Sequence, residues 1–491
     1  MNNWQSIVNS ISMGIDTAFD EKDEDTLQSF VDKINQLLNN ETFSIDAKIV
    51  LYYDLGNVYS YLDSLRNHSE KKLWIYNNLE HINAIKAYRK CINLKTECKH
   101  KNESQIFVVQ SYTNLGNLFS ESGRIIYAIE AWKKALEIHN DFGMAQGNLG
   151  MGLITYARSL YDQNHAALLC KKAYPFLENA IKSNDVYTEA KENFCKYKNL
   201  INPALLKQDF ISSDYFNDLS EQEKEYRKWV LQNSLFLNPL NDIYNESFVA
   251  HDILHLPNMI ASINEPPKFH GLFNEIKQQF ASSRYIYYSY LKQKDDYEKH
   301  FSDKETHLVN TFDYSLYGYK YELLKTAYKN LYSILDKIAF FLNDYLQLKI
   351  NIRSIDFHTI WYEGKQKQNI NSIIESLNNN PLRGLYYLSK DFHSDTEYLA
   401  STDDDAKELS EIRNCLEHRY VTITQYKNVE NIYPYDDFAY QITIDEFERK
   451  IEKILHYVRE AIIYLSLAVH TNEEQNYPKD KIIGPIIMGK I

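Results

Sequence analysis

Val109-Gln110-Ser111-Tyr112-Thr113-Asn114-Leu115-Gly116-Asn117-Leu118-Phe119, continued by Ala128, Trp132 and Ala135, is the stretch on which the fold turns. Tyr112, Leu115, Gly116 and Phe119 fall at helical spacing, and after a break the spacing resumes at Ala128, Trp132 and Ala135. Small residues at Gly116 and Ala128 let two antiparallel helices approach, while the large ones fill the groove between them. The unit covers residues 109–142. An earlier copy begins Tyr52-Tyr53-Asp54-Leu55-Gly56-Asn57-Val58-Tyr59 and resumes at Ala84, Tyr88 and Cys91 after an insertion of about 16 residues. A third, degenerate copy starts at Leu149-Gly150, with Ala166 to Ile181 as its second helix.

This spacing resembles the tetratricopeptide repeat. The resemblance implies a superhelical solenoid over residues 1–200, whose concave surface takes a protein, peptide or nucleic-acid trigger. A scaffold that only fixes the position of the other domains is the alternative.

Composition bounds the rest. The 491 residues allow two to four domains, with 44 % hydrophobic and 25 % charged residues, as in ordinary soluble proteins. Gly (14) and Pro (10) are too scarce for a turn-rich β architecture. The 40 tyrosines each bury a large ring and keep a polar tip, so they read first as packing. Cys91, Cys98, Cys170, Cys195 and Cys415 are odd in number and include no Cys-x-x-Cys pair. With no apolar N-terminal segment and no membrane-length apolar run, a reduced cytoplasmic chain is expected. The formal net charge of −13 argues against general nucleic-acid binding, which rests on Lys and Arg, but leaves room for a small basic site.

Residues 201–310 change the texture to loops and turns around Asn238-Pro239 and Asn241-Asp242. His251 and His255, at i and i+4, would share a face if helical and hold a metal there. No third ligand stands at a telling distance, so structural or surface histidines are the leading reading. Arg284-Tyr285-Ile286-Tyr287-Tyr288 reads as a tyrosine-rich core helix before it reads as a base-stacking surface.

Residues 311–475 carry a helical bundle, followed by an apolar tail over 476–491. Ala327, Leu331, Ile334, Leu335, Ile338 and Leu342 predict a helix over 324–346. Thr443-x-x-Glu446 is a capping box that opens a helix over 443–470. A helix around Pro381–Phe392 and another over 405–422 complete four or five helices. The fold class is all-α.

The helix over 405–422 holds Arg413-Asn414-Cys415-Leu416-Glu417-His418-Arg419-Tyr420. Projected at about 100° per residue, Leu409, Ile412, Leu416 and Tyr420 form a core stripe, and Asn414 and His418 share the opposite face. Arg413 lies on the flank of the stripe. A solvated histidine in a chance Arg-x4-His match is the plain alternative.

The octapeptide, written Arg-Asn-x3-His-x-Tyr, resembles the signature of HEPN ribonucleases. Leu331–Asn343, Asn380–Tyr386 and Val458–Leu465 look like the tetratricopeptide-linked HEPN branch associated with bacterial defence and abortive infection. The resemblance extends over about residues 220–470. It implies a homodimer in which two motif helices face each other, and RNA cleavage without metal or cofactor. In that chemistry the 2′-hydroxyl attacks the adjacent phosphate, leaving a 2′,3′-cyclic phosphate and a 5′-hydroxyl. His418 would be the general base or acid, Arg413 would neutralise the transition state, and Asn414 would orient either. Asp336, Arg419 and Tyr420 are supporting or regulatory candidates. In nucleotidyltransferase-paired HEPN toxins the His-x-Tyr tyrosine is the residue modified to silence the toxin, but the projection turns Tyr420 inward.

The expected function is therefore an RNA-cleaving effector with a sensing repeat region. The acidic balance keeps a second class open, a non-catalytic dimeric adaptor that recruits another effector. No Gly-rich phosphate loop, Gly-x-Ser-x-Gly elbow or His-Glu-x-x-His motif supports an NTPase, esterase or zincin.

Overall fold

The structure is a computed structural model that describes residues 3–40, 43–67, 76–97, 104–207, 215–260, 265–296, 298–310, 314–364, 369–392, 402–426 and 438–477. It is all-α apart from short strands. The first half contains α1 (Asn3–Asp20), α2 (Glu24–Leu38), α3 (Ile45–Asn67), α4 (Leu79–Glu97), α5 (Gln105–Glu121), α6 (Ile125–Ile138), α7 (Gly143–Ser159), α8 (Gln163–Lys182), α9 (Thr188–Asn199), α10 (Pro203–Lys207) and α11 (Glu221–Gln232). The second half contains α12 (Lys268–Leu291), α13 (Tyr319–Tyr345), β1 (Tyr362–Glu363), β2 (Asn369–Ile370), α14 (Ser372–Ser376), α15 (Asn380–Ser389), α16 (Ala406–His418), β3 (Tyr420–Thr424), β4 (Ala439–Thr443) and α17 (Ile444–Gln475). The apolar tail expected beyond the last helix lies outside the described residues.

Helices α3–α4, α5–α6 and α7–α8 are the hairpins that the repeat spacing predicts. Their glycines mark where large rings press on a facing backbone. A Cβ on Gly56 would collide with the Tyr88 ring, and one on Gly116 with Trp132. Trp132 then donates its indole N–H to the Thr113 carbonyl at 3.1 Å, which satisfies the polar end of a buried ring.

Asp54 is buried in the first of these hairpins and accepts from Ser12 Oγ at 2.8 Å. Burial pushes its pKa up to about 7, against the Ser12 bond and with help from Asp16. Because the folded-state value lies above the unfolded one, the native state holds the extra proton and loses stability as pH rises toward 7. Asp54→Asn keeps the acceptor and removes the charge. It is expected to melt higher than the parent at pH 8 but not at pH 5, read by thermal denaturation at both.

In the second half α12, α13 and α15 pack against the long α17, and α16 packs against α13. The N-terminus of α17 carries the capping box expected at Thr443 and Glu446. Helix α12, from the segment read as a connection, supplies the fifth helix, with Phe273, Ile276, Phe280 and Tyr287 buried. Its Arg284 is buried too and pairs with Asp252 at 2.7 Å, so the aromatic run of α12 is mostly packing.

One hydrophobic cluster runs from Tyr76 to Val469, and a second fills the space among α1, α2 and α3. The first therefore joins the hairpins to the bundle. At the seam the α5–α6 turn places Gly123 at φ +82, where a Cβ would overlap the Asn380 carbonyl oxygen. A Cβ on Gly384 would in turn meet the Gly123 carbonyl. Arg124, with no exposed surface, donates to Glu460 at 3.0 and 2.8 Å and to Asp391 at 2.6 Å. Arg89 from α4 grips the same Asp391 at 2.7 Å. Burial pushes the Asp391 carboxyl up, but Arg89 and Arg124 outweigh it and hold its pKa far below the usual range.

Candidate active site

Helix α16 lies along α13. Ala406, Leu409, Ile412 and Cys415 are buried, with Leu416 partly so, and Tyr328 on α13 donates to the Leu409 carbonyl at 2.7 Å. The face turned to solvent carries Lys407, Glu411, Asn414 and His418, spaced three or four residues apart. Asn414 and His418 thus share an exposed face, as the projection expects. Arg413 sits half-buried on the flank.

The Arg413 guanidinium is held on three sides. It donates to Asn414 Oδ1 at 3.1 Å and meets Asp336 Oδ2 at 3.3 Å. It also stands over the Tyr332 ring, 5.6 Å from its centroid. Asp336 on α13 is therefore in contact with Arg413 of the motif, an ion pair that serves either a supporting role or structure alone. Tyr332, one turn before it on α13, was missed by the sequence reading. The i, i+4 spacing of Tyr332 and Asp336 carried that signal. A second missed group is His358. Its Nε2 lies 3.3 Å from the Tyr332 hydroxyl, on a loop whose Phe357 N–H approaches Asp336 Oδ1 at 3.4 Å.

Burial pushes the Asp336 carboxyl above its ordinary pKa, more than Arg413 and the Phe357 N–H pull it down. With the folded value above the unfolded one, ionisation of this group costs stability as pH rises between the two. Asp336→Asn is expected to leave thermal stability at pH 7 equal or higher. It also loosens Arg413 and should lower any Arg413-dependent RNA cleavage about tenfold. Melting and cleavage measured on the same preparation check both halves.

Tyr420 requires a correction. Helix α16 ends at His418 rather than running to 422, and Arg419 caps it with φ −137° and ψ −134°. From Tyr420 the chain is drawn into β3, which pairs in parallel with β4, Tyr420 opposite Ala439. Leu316 N–H adds a bond to the Ile423 carbonyl at 2.7 Å on the other edge. The helical projection does not apply past His418, and Tyr420 is exposed rather than turned to the core. Arg419 is exposed beside it. The buried stripe of α16 is Ala406, Leu409, Ile412 and Cys415.

His251 and His255 also differ from the helical reading. The segment is non-helical, so they share no helix face. The His251 ring lies 5.3 Å from Tyr215, and the His255 ring 4.8 Å from Tyr161, with His255 Nδ1 2.6 Å from the Leu256 carbonyl. Among the described residues no group of three or more His, Cys, Asp or Glu side chains is placed to hold a metal ion. Nor is any described helix long and apolar enough to cross a membrane.

An exposed histidine and a tethered, half-buried arginine share one helix of the bundle; chemically, an imidazole can exchange protons near neutral pH and a guanidinium can bind a phosphate. Residues 260–472 match the family model described as LA2681-like HEPN. The C-terminal helices α12 to α17, with the motif helix among them, are thus similar to that domain. No curated protein and no solved structure matches the chain.

Proposed function

We propose that the protein is a metal-independent endoribonuclease that acts as a homodimer in a bacterial stress or anti-phage defence response. In this reading its α3–α8 hairpins are tetratricopeptide repeats that bind the regulatory trigger. The observation that carries the reading is the Arg413 clamp. A guanidinium fixed by Asp336, Asn414 and the Tyr332 face stands half-buried on the helix that exposes His418. Similarity of this region to HEPN domains, whose members are typically ribonucleases, points the same way.

The chemistry follows from those two side chains. His418, as base, takes the proton of a ribose 2′-hydroxyl while its oxygen forms the new bond to phosphorus. The 5′-oxygen leaves with a proton from a second acid, the His418 of the partner in a two-fold arrangement. Arg413 neutralises the charge that builds on the non-bridging oxygens. The Lys407–Glu411–Asn414–His418 face is solvent-exposed in the single chain, as a face that meets its symmetry mate must be before assembly. Arg419 and Tyr420, exposed directly after His418, would flank the bound strand and are open to modification.

The test is incubation of the purified protein with total cellular RNA in EDTA, beside His418→Ala. Wild-type cleavage leaving cyclic-phosphate ends, with the variant inert, is the expected result. Indistinguishable RNA profiles from the two proteins, with and without infected-cell lysate, would overturn the reading in favour of an adaptor.

A further inference from the structure

Between helices α4–α6 and the residues that lead into α16 lies a cleft of about 220 Å³. One wall carries Lys86, Arg89 and Lys134 from the hairpins, and the other carries Asp403, Asp405 and Lys453 from the bundle. The segment Thr402–Asp405, which immediately precedes the motif helix, is part of this wall. Arg89 holds it directly, donating to the Thr402 carbonyl at 2.8 Å and lying 3.4 Å from Asp403. Lys453 holds it from the other side, 2.6 Å from Asp403 and 2.8 Å from Asp405.

Several carboxylate oxygens of the cleft are already engaged, and its ammonium groups retain donors. Asp403 already accepts from Lys453, from the Tyr457 hydroxyl at 2.8 Å and from the Asp405 N–H at 2.8 Å. Both Asp405 oxygens are taken, by Lys450 and by Lys453. Glu130 holds Lys134, and Asp404 at the rim is solvent-exposed. The ammonium groups keep N–H bonds in hand: Lys134 is bound to Glu130, and Lys453 divides itself between two carboxylates, out of three donors each. Asp403 is thus gripped by Arg89 and Lys453, in a lining that carries Lys86 and Lys134 as further cations and Glu130, Asp404 and Asp405 as further carboxylates. A phosphate group carries about twice the charge of a carboxylate and three strong acceptor oxygens, so it competes for those cations on better terms. The half-buried rings of Tyr112 and Tyr127 line the same space, and its size suits a small molecule rather than a protein element.

We infer that the cleft binds a small phosphate-bearing ligand, which takes Arg89 and Lys453 over from Asp403 and releases the lead-in to the motif helix. Occupancy of the repeat surface is then read out on α16 through one covalent step of four residues, Thr402 to Asp405. The meaning of this as regulation rests on the nuclease reading above. The binding and the release are measured without RNA, so either reading can fail alone.

The experiment uses the full chain, with inorganic pyrophosphate and ADP as probes, in calorimetry and amide hydrogen exchange. Saturable binding is expected, weakened about tenfold or more in Lys86→Ala/Lys134→Ala. Amides from Asp405 to Leu409 should exchange about threefold faster in the liganded parent than in the free protein. Lys86 and Lys134 are partly exposed, so the double variant keeps its fold, checked by its melting curve. Binding of ADP but not pyrophosphate would support the site and add Tyr112 and Tyr127 as a stacking surface. No saturable binding of either probe, equal affinity in the double variant, or binding without faster exchange would each overturn the inference.

Discussion

His418→Ala is expected to slow RNA cleavage by about a hundred- to ten-thousand-fold, the usual worth of a positioned general acid or base. The side chain is exposed and packs on nothing in the core, so the variant should melt with the parent. Arg413→Ala should cost about a hundred- to a thousand-fold through the transition state. Arg413→Lys should recover little of this, since an ammonium cannot meet Asp336, Asn414 and a phosphate at once as a planar fork can. Initial rates on an end-labelled RNA, with EDTA present, decide the matter. A His418→Ala protein that cleaves at the parental rate would remove this histidine from the chemistry.

The second large effect is on stability. Arg124→Ala leaves Glu460 and Asp391 without the guanidinium that binds both, in a site with no exposed surface on the arginine. Breaking a buried pair in this way costs about 3–5 kcal/mol. It also removes the cation that lies 4.8 Å from the Tyr127 ring and 4.9 Å from Phe119. Urea unfolding should show the loss as a lower midpoint. Arg124→Met combined with Glu460→Leu should recover much of it, because an apolar pair of similar volume avoids the desolvation cost. Recovery confined to the double variant would separate loss of charge balance from loss of packing.

The sequence exposed the local rules well. Gly56 and Gly116 stand opposite Tyr88 and Trp132 because helix spacing alone sets which residues face each other within a hairpin. Thr443 and Glu446 are three residues apart, so their reciprocal capping is equally local. The exposed face of Asn414 and His418 follows from the same arithmetic.

What escaped is non-local. The end of α16 at His418 is imposed by β4, which comes from a later segment, so no periodicity before Tyr420 could announce it. Arg89 and Arg124 carry no mark in the sequence that sets them apart from other arginines. Only the fold brings Asp391, Thr402 and Glu460 to them across some three hundred residues of chain. Tyr332 and His358 were hidden for a related reason. Tyrosine is so common in this chain that the spacing of Tyr332 and Asp336 is a faint signal, and the Arg413 that stands above the ring comes from a distant segment.

The seam at Gly123 and Gly384 has a bearing on quality control in the cell. Two backbones in van der Waals contact, flanked by Arg124 and Arg89, make the hairpins a condition of the bundle's folding rather than a detachable arm. A fragment cut loose from its first half would expose the apolar seam of the shared core and leave Asp391 and Glu460 without Arg89 and Arg124, making it a substrate for proteases. A chain built this way fails safe. Damage that removes the hairpins also exposes the bundle to degradation.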